Sequence, residues 1–388
     1  MMNSELRILF IVDAIQGRNG VGTYFQDLTS HLGKRVARVE LVAPNLQSCH
    51  PCQGMALPMP GDATQQVFLP RMRQLTLLAM EMKPQVIVVP GPGLFALAGF
   101  WLAGKLGVPV CMTHQTDYSQ LVNLYWKGTG GRIAQALLHW TNLFMFRGST
   151  TIATVSRPLA QQLRQRGITN PHLVGTPLAP QFINAPIIEP KGSVTRILFV
   201  GRLAAEKNLP DFLQLAAQRP DLEFSIVGDG PLRHSVQEQA QRTHNLQFLG
   251  WCSRECVQQQ LDLHDLLILP SSVEAFGTVA LEAMARKRLV LTTPACGIND
   301  WKPLAKGLLT MNPGESLIQA VQRIESLGAA QRHYICQQAY HGARSLNQEA
   351  IEQWLSVLQI TANKAHLLPR RIPSATFALL RRLAAYQT

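Results

Sequence analysis

The chain has 388 residues, 46% hydrophobic and 15% charged, with a formal net charge of +12. That length is large for one core and suits two domains, and the composition excludes an intrinsically disordered chain. The basic excess favours an anionic partner, whether nucleic acid, an anionic membrane face or a phosphorylated substrate, without choosing among them.

The first half alternates short apolar runs with amphipathic segments. Arg7 to Val12 reads as a buried strand, followed by a Gly-bearing loop from Asp13 to Thr23 and a helix from about Tyr24 to Leu32. Strand, glycine loop and helix form a phosphate-cradling arrangement, although the spacing is not GxGxxG and a turn that merely needs glycine fits as well. Val39 to Val42 is a second strand, and Pro44 to Gly61 reads as loop. A helix over 72–82, a strand over 86–89, a helix over 94–106 and a strand over 108–113 complete a doubly wound pattern, in which ligands bind beyond the carboxyl ends of the strands. His114, Asp117 and Tyr118 sit at such an end, with Tyr125 further on. A helix over 130–146 carries Leu137, Leu138, Leu143, Phe144 and Phe146, expected mostly as core, and Ser156 is expected to cap a helix over 158–165. No acidic residue occurs between Asp117 and Glu189, while six Lys or Arg do, and the tail from Thr361 onward is basic and acid-free. Both suit a solvated basic face or contact with anionic lipid.

Residues 185–195 are expected as a linker between domains at 1–184 and 196–345, with C-terminal helices over 346–388 returning to the first domain. The alternation restarts with strands over 196–200, 223–227, 247–249, 266–269 and 289–292. Gly201, Arg202 and Lys207 follow the first of these, and two cations at a strand end suit a diphosphate. The stretch Pro270 to Ala285 follows Leu266–Leu269 and places Glu274 in a loop and Glu282 about two turns into a helix opened by Gly277, with Phe276 before it and Thr278 after it. Two such carboxylates can address a polyhydroxyl ligand.

Seven cysteines suggest reduced thiols and not a disulfide framework. Cys49/Cys52 and Cys252/Cys256 lack the companion pairs of a zinc site, and no metal is expected. The apolar start is too short for a secretory signal, and Leu94 to Gly104 falls short of a membrane span. A cytoplasmic chain, soluble or peripheral on the membrane face, is expected.

Val200-Gly201-Arg202-Leu203, Glu206-Lys207-Asn208, Val227 to Pro231, Phe248-Leu249-Gly250, and Pro270-Ser271 with Glu274-Ala275-Phe276-Gly277 through Glu282 to Ala285 resemble, in order and spacing, the family 4 retaining glycosyltransferases, glycosyl transferases group 1. His114 to Tyr118 is similar to a segment of the subgroup acting on lipids, which includes sulfoquinovosyl-, mannosyl- and glucosyltransferases. The resemblance implies a GT-B fold, two Rossmann-like α/β domains facing across a cleft. Its implied activity is transfer of a sugar from a nucleotide-diphosphate donor, UDP by family frequency, to a membrane lipid or lipid-linked glycan. It implies no metal cofactor and no nucleic acid partner. Glu282 would hold the ribose hydroxyls and Glu274 the donor sugar. Arg202 and Lys207 would hold the diphosphate, joined by backbone N–H groups at Gly20, Val21, Gly22 and Thr23 and after Gly277. His114 would lie by the anomeric centre, and Asp117, Tyr118 and Tyr125 would meet the acceptor. Pro294 to Asp300 departs from the family's Gly-Gly-and-Glu pattern, with one Gly and an Asp. An epimerase or hydrolase on the same fold, a soluble acceptor, or a non-catalytic sugar-nucleotide binder remain open; the missing GxGxxG disfavours an NAD-dependent oxidoreductase.

Overall fold

The computed structural model describes residues 4–17, 20–46, 50–59, 62–115 and 129–364. The described residues divide into two compact units, one made of those within 4–59, 65–174 and 351–364 and one of 62–64 and 175–350.

The first unit runs β1 (Ser4–Ile11), α1 (Gly20–Leu32), β2 (Val36–Val42), β3 (Gln53–Met59), β4 (Asp62–Pro70), α2 (Met72–Met82), β5 (Val86–Pro90), α3 (Leu94–Leu106), β6 (Val110–His114), α4 (Thr129–Gly148), β7 (Thr151–Thr154), α5 (Arg157–Gln165) and β8 (His172–Leu173). Six strands form a parallel sheet in the order β2-β1-β5-β6-β7-β8. Its central strands are buried on both faces, which is why they read as unbroken apolar runs; Ile8 to Val12 are fully covered. Ser156 caps α5, its hydroxyl accepting from Leu159 N. Three sequence expectations are corrected. Helix α1 begins at Gly20, so Gly20 to Thr23 form its first turn and not a loop. Residues 53–59 form a strand, β3, paired with β4 in a two-stranded ribbon, where loop was expected, because Gly54 and Pro58 lower the strand signal of a segment outside the main sheet. On α4, Leu137 is 64% exposed and not core, and its neighbour Trp140 is 67% exposed.

The second unit runs α6 (Pro180–Asn184), β9 (Arg196–Val200), a 3-10 turn (Ala205–Lys207), α7 (Leu209–Gln218), β10 (Glu223–Val227), α8 (Arg233–Arg242), β11 (Leu246–Gly250), α9 (Arg254–Leu263), β12 (Leu266–Leu269), α10 (Thr278–Ala285), β13 (Leu289–Thr292), 3-10 turns Gly297–Asp300 and Lys302–Leu304, β14 (Leu309–Thr310), α11 (Leu317–Ser326) and α12 (Ala329–Asn363). Its parallel sheet has the order β11-β10-β9-β12-β13-β14. The strand order therefore reverses direction at β9, and the crevice beyond the carboxyl ends of β9 and β12 is the switch point where such sheets take ligands. Phe212 meets Phe224 edge to face and Phe199 at a tilt.

Helix α12 begins seventeen residues before the position expected for the terminal helices, and its residues up to Ala350 pack in the second unit. Residues Ile351 to Lys364 belong to the first. There Trp354 is fully buried against Phe10 and Tyr24, and its Nε1 donates to the Tyr24 hydroxyl at 2.6 Å.

Residues 185–195 contain no regular element and are held to the second unit by three consecutive cations. Arg286, fully buried, donates to Ala185 O at 2.8 Å and to Pro186 O, and grips Asp262 with two bonds of 2.8 and 2.7 Å. Lys287 pairs with Glu189, and Arg288 donates to Ile188 O. Removing one partner of a buried pair leaves the other charge uncompensated. Arg286→Met is expected to destabilise the second unit by about 3–5 kcal/mol, measured as a lower urea midpoint at unchanged slope.

Candidate functional site

In the second unit the loops after β9 and β12 are sewn together. Gly201 N donates to Val227 O at 3.0 Å and Leu203 N to Asp229 O at 2.9 Å, so the Arg202 loop lies flat on the loop after β10. Only glycine permits this at 228, where a Cβ would stand 1.8 Å from Gly201 O. The carbonyl of Glu206 then accepts from both Ser272 N, at 2.9 Å, and Ser272 Oγ, at 3.2 Å, joining the 3-10 turn to the loop after β12.

Across that seam Lys207 Nζ forms an ion pair with Glu274 Oε2, each side chain less than one-fifth exposed. Burial by itself lowers the lysine pKa, but the carboxylates of Glu274 and Glu206 and the nearby Cys296 carry it above the ordinary value, so Lys207 stays charged. Arg202 reaches Glu206 at 3.5 Å. Glu274 is held by its backbone as well: Gly297 N donates to its carbonyl at 2.9 Å, and Cys296 pairs with it as an isolated parallel bridge. Phe276 is buried edge-on to Trp301, and its carbonyl accepts from Ile298 N.

Gly277, at φ 99°, is the N-cap of α10, a left-handed position that glycine enters without a Cβ clash. Thr278 starts the helix, and Glu282 follows in its second turn, 6% exposed. Burial pushes the Glu282 carboxyl up to about 6, against the pull of Arg254, whose Nη2 lies 2.9 Å from Oε1. Arg254 in turn stacks over the Phe182 ring at 5.1 Å. Sequence reasoning missed Arg254. The signal was present in kind: it follows Ser253, which caps α9 just past the carboxyl end of β11, the same placement that marked Arg202.

The structure thus brings Lys207 and Glu274 together, sets Arg202 beside the same turn, and gives Glu282 a separate cation. In the first unit His114 is the last residue of β6, 3% exposed, with its ring edge-on to Phe146 at 5.3 Å and its carbonyl accepting from Thr154 Oγ1. Gly20, Val21, Gly22 and Thr23 form the first turn of α1, where the backbone N–H groups point out of the helix end. Asp117, Tyr118 and Tyr125 lie outside the described residues. A further carboxylate, not singled out from sequence, is Asp13 after β1. It accepts from Phe95 N at 2.7 Å and Ala96 N at 3.0 Å at the start of α3, and burial raises its pKa to about 6. Cys252 and Cys256 are free thiols, and among the described residues no group of three or more His, Cys, Asp or Glu is placed to hold a metal.

Residues 19–179 match the family model described as Glycosyl transferase 4-like domain, and residues 184–341 the one described as Glycosyl transferases group 1. A GDP-mannose-dependent alpha-mannosyltransferase of Mycolicibacterium smegmatis is 28% identical over 294 residues, covering 74% of each chain. An alpha-D-kanosaminyltransferase of Streptomyces kanamyceticus is 23% identical over 54% of this chain, which spans 58% of that relative's length. Among solved structures, Anabaena Alr3699/HepE in complex with UDP-glucose is similar at a TM-score of 0.62, 16% identity and coverage of 90% of this chain and all of that one. WaaG, a glycosyltransferase involved in lipopolysaccharide biosynthesis, is similar at 0.65, 16% identity and coverage of 91% and 99%. At these identities the structural likeness establishes the fold, which is GT-B.

The Lys207–Glu274 pair should couple in a double-mutant cycle. Lys207→Met alone is expected to cost about 2–3 kcal/mol, while the double variant with Glu274→Gln costs less than the two single changes together by roughly 1–2 kcal/mol, read from urea unfolding.

Proposed function

The chain belongs to the glycosyltransferases of the glycosyl transferases group 1 family, and from that premise we propose that it moves a sugar from a nucleoside-diphosphate donor, UDP by preference, to a membrane lipid or lipid-linked glycan, with retention at the anomeric carbon. The observation that carries the donor reading is the Lys207–Glu274 pair at the switch point of the second sheet, beside the Gly277-capped start of α10. A cation and a carboxylate held side by side offer a phosphate contact and a sugar-hydroxyl contact a few ångströms apart.

In this proposal Lys207 turns partly from Glu274 to the donor's diphosphate and shares it with Arg202. Glu274 then accepts from sugar hydroxyls, and Glu282 accepts from the two ribose hydroxyls, with Arg254 keeping its carboxylate ionised. The N–H groups at the start of α10 and at Gly20 to Thr23 would complete the phosphate contacts. His114 would lie by the anomeric carbon, and Asp117, Tyr118 and Tyr125 would meet the acceptor. The bond from the anomeric carbon to the phosphate oxygen breaks as the acceptor oxygen bonds on the same face, and the acceptor's proton passes to the leaving phosphate. Catalysis of that kind is positioning and charge stabilisation by two cations, with no protein nucleophile and no metal required.

The lipid part is supported by Leu137 and Trp140, exposed one turn apart on α4 within the acid-free stretch, and by the likeness to WaaG. None of the described helices is long and apolar enough to cross a membrane, and the proposal is a peripheral enzyme on a cytoplasmic membrane face.

A panel of UDP- and GDP-sugars offered with total lipid extract, read by mass spectrometry, should give a glycosylated lipid from a UDP-sugar. Transfer only to soluble acceptors, or release of free sugar, would overturn the lipid reading; transfer from GDP-mannose alone would overturn UDP. Affinity for UDP should fall about tenfold as pH drops through about 6, because Glu282 takes up a proton there and loses the charged acceptor. Titration calorimetry should show a shallower profile for Glu282→Gln, already weak at pH 8, with the remaining slope that of the UDP terminal phosphate, which also takes up a proton near pH 6.

A further inference from the structure

We infer that Asn299 is a positioning residue for the donor-sugar contact, acting through the backbone of Glu274; the sugar role rests on the function proposed above. Asn299 lies in the 3-10 turn Gly297–Asp300, in the stretch where this chain departs from the resembling family's pattern. Its carboxamide makes four hydrogen bonds, the full capacity of the group. Oδ1 accepts from Thr292 Oγ1 at 3.0 Å and Thr310 Oγ1 at 2.8 Å, while Nδ2 donates to Thr293 O at 2.8 Å and Cys296 O at 2.9 Å. Two carbonyls can only accept, so the NH2 must face them and the orientation of the amide is fixed by the network.

One side of this knot is rigid. Thr292 and Thr310 are paired residues of the parallel strands β13 and β14. Its other side, residues 293–298, touches the Glu274 loop through Thr293, Cys296, Gly297 and Ile298. Thr293 Oγ1 donates to Ser271 O at 2.5 Å, Gly297 N to Glu274 O at 2.9 Å, and Ile298 N to Phe276 O at 2.9 Å. Asn299 therefore transmits the position of the sheet edge to the backbone that carries the Glu274 carboxylate. Glu282 is held differently, within α10 and by Arg254 from α9. Loss of the amide should disturb the sugar end of the site and leave the nucleotide end in place.

Neither alanine nor aspartate meets both demands. Alanine leaves two carbonyls without their donor. Aspartate keeps an acceptor for the two hydroxyls but sets an oxygen against the carbonyls of Thr293 and Cys296. Thr310→Val removes one hydroxyl and spares both donations, so its effect should be the smaller.

The test has two arms. Amide hydrogen exchange should show Gly297 and Ile298 exchanging at least tenfold faster in Asn299→Ala and in Asn299→Asp, about twofold to threefold faster in Thr310→Val, with the β9 and β10 amides unchanged. Unchanged protection at 297 and 298, or a uniform loss across the sheet, overturns the clamp. In the second arm, calorimetry with UDP alone should give affinities within about twofold of the parent for all three variants. kcat/KM with the UDP-sugar that the parent turns over should fall roughly 10- to 100-fold in the two Asn299 variants. A fall in UDP affinity equal to the fall in turnover, or parental turnover, overturns the positioning role. A parent inert to every nucleotide sugar overturns the proposed function instead, and the exchange arm still decides the clamp.

Discussion

The second unit is arranged about one ion pair that bridges two strand ends. Lys207 leaves the turn after β9, Glu274 leaves the loop after β12, and these are adjacent strands at the point where the sheet reverses its order. A charged pair so little exposed is sustained only when geometry is fixed from several directions. The surrounding bonds supply that: Ser272 on Glu206 from one side, Gly297 on Glu274 from the other, and the flat contact between the Gly201 and Gly228 loops beneath. Most of the polar bonding at this end of the sheet can be understood as what keeps one cation and one anion in reach of each other and of a ligand.

Two glutamates of similar chemistry are thereby given different environments. Glu274 stands on a loop and shares its charge with a movable lysine. Glu282 stands inside a helix, with a planar guanidinium that is itself stacked on Phe182. The first arrangement can exchange its partner for a ligand, because an ammonium on a flexible stem can turn. The second is built to stay as it is. A site that must hold the unchanging part of a substrate and also adjust around the reacting part benefits from both kinds.

Much of this was legible in the residues. Parallel strands covered on both faces leave continuous apolar runs, so β1, β5, β6, β9, β10, β12 and β13 were visible at nearly their true length, while β2 and β11, nearer the sheet edges, were read short. The ends of those strands then pointed to Arg202, Lys207, Glu274 and Glu282 without any knowledge of tertiary contacts. What escaped had a different physical origin. The ribbon of β3 with β4 contains a strand, β3, interrupted by Gly54 and Pro58, whose sense depends on its partner segment. Helix α12 is polar and apolar by turns because it serves both units, so no single stripe announces its start at Ala329. Arg254 and Asn299 matter through partners far along the chain or through backbone carbonyls; the local sign of Arg254 is only its place after a capping serine at a strand end, and Asn299 leaves none.

The strap at 185–189 bears on how the chain could be cut or rebuilt. Its composition, Ala-Pro-Ile-Ile-Glu followed by Pro-Lys-Gly-Ser, is that of a tether, and a protein engineer would choose it for a tag, a split site or a change of domain partner. Yet its carbonyls are the ligands of buried arginines, as integral to the second unit as a strand would be. A transplantable second domain would have to begin before Ala185, or carry Arg286 and Arg288 into an interior with nothing to receive them.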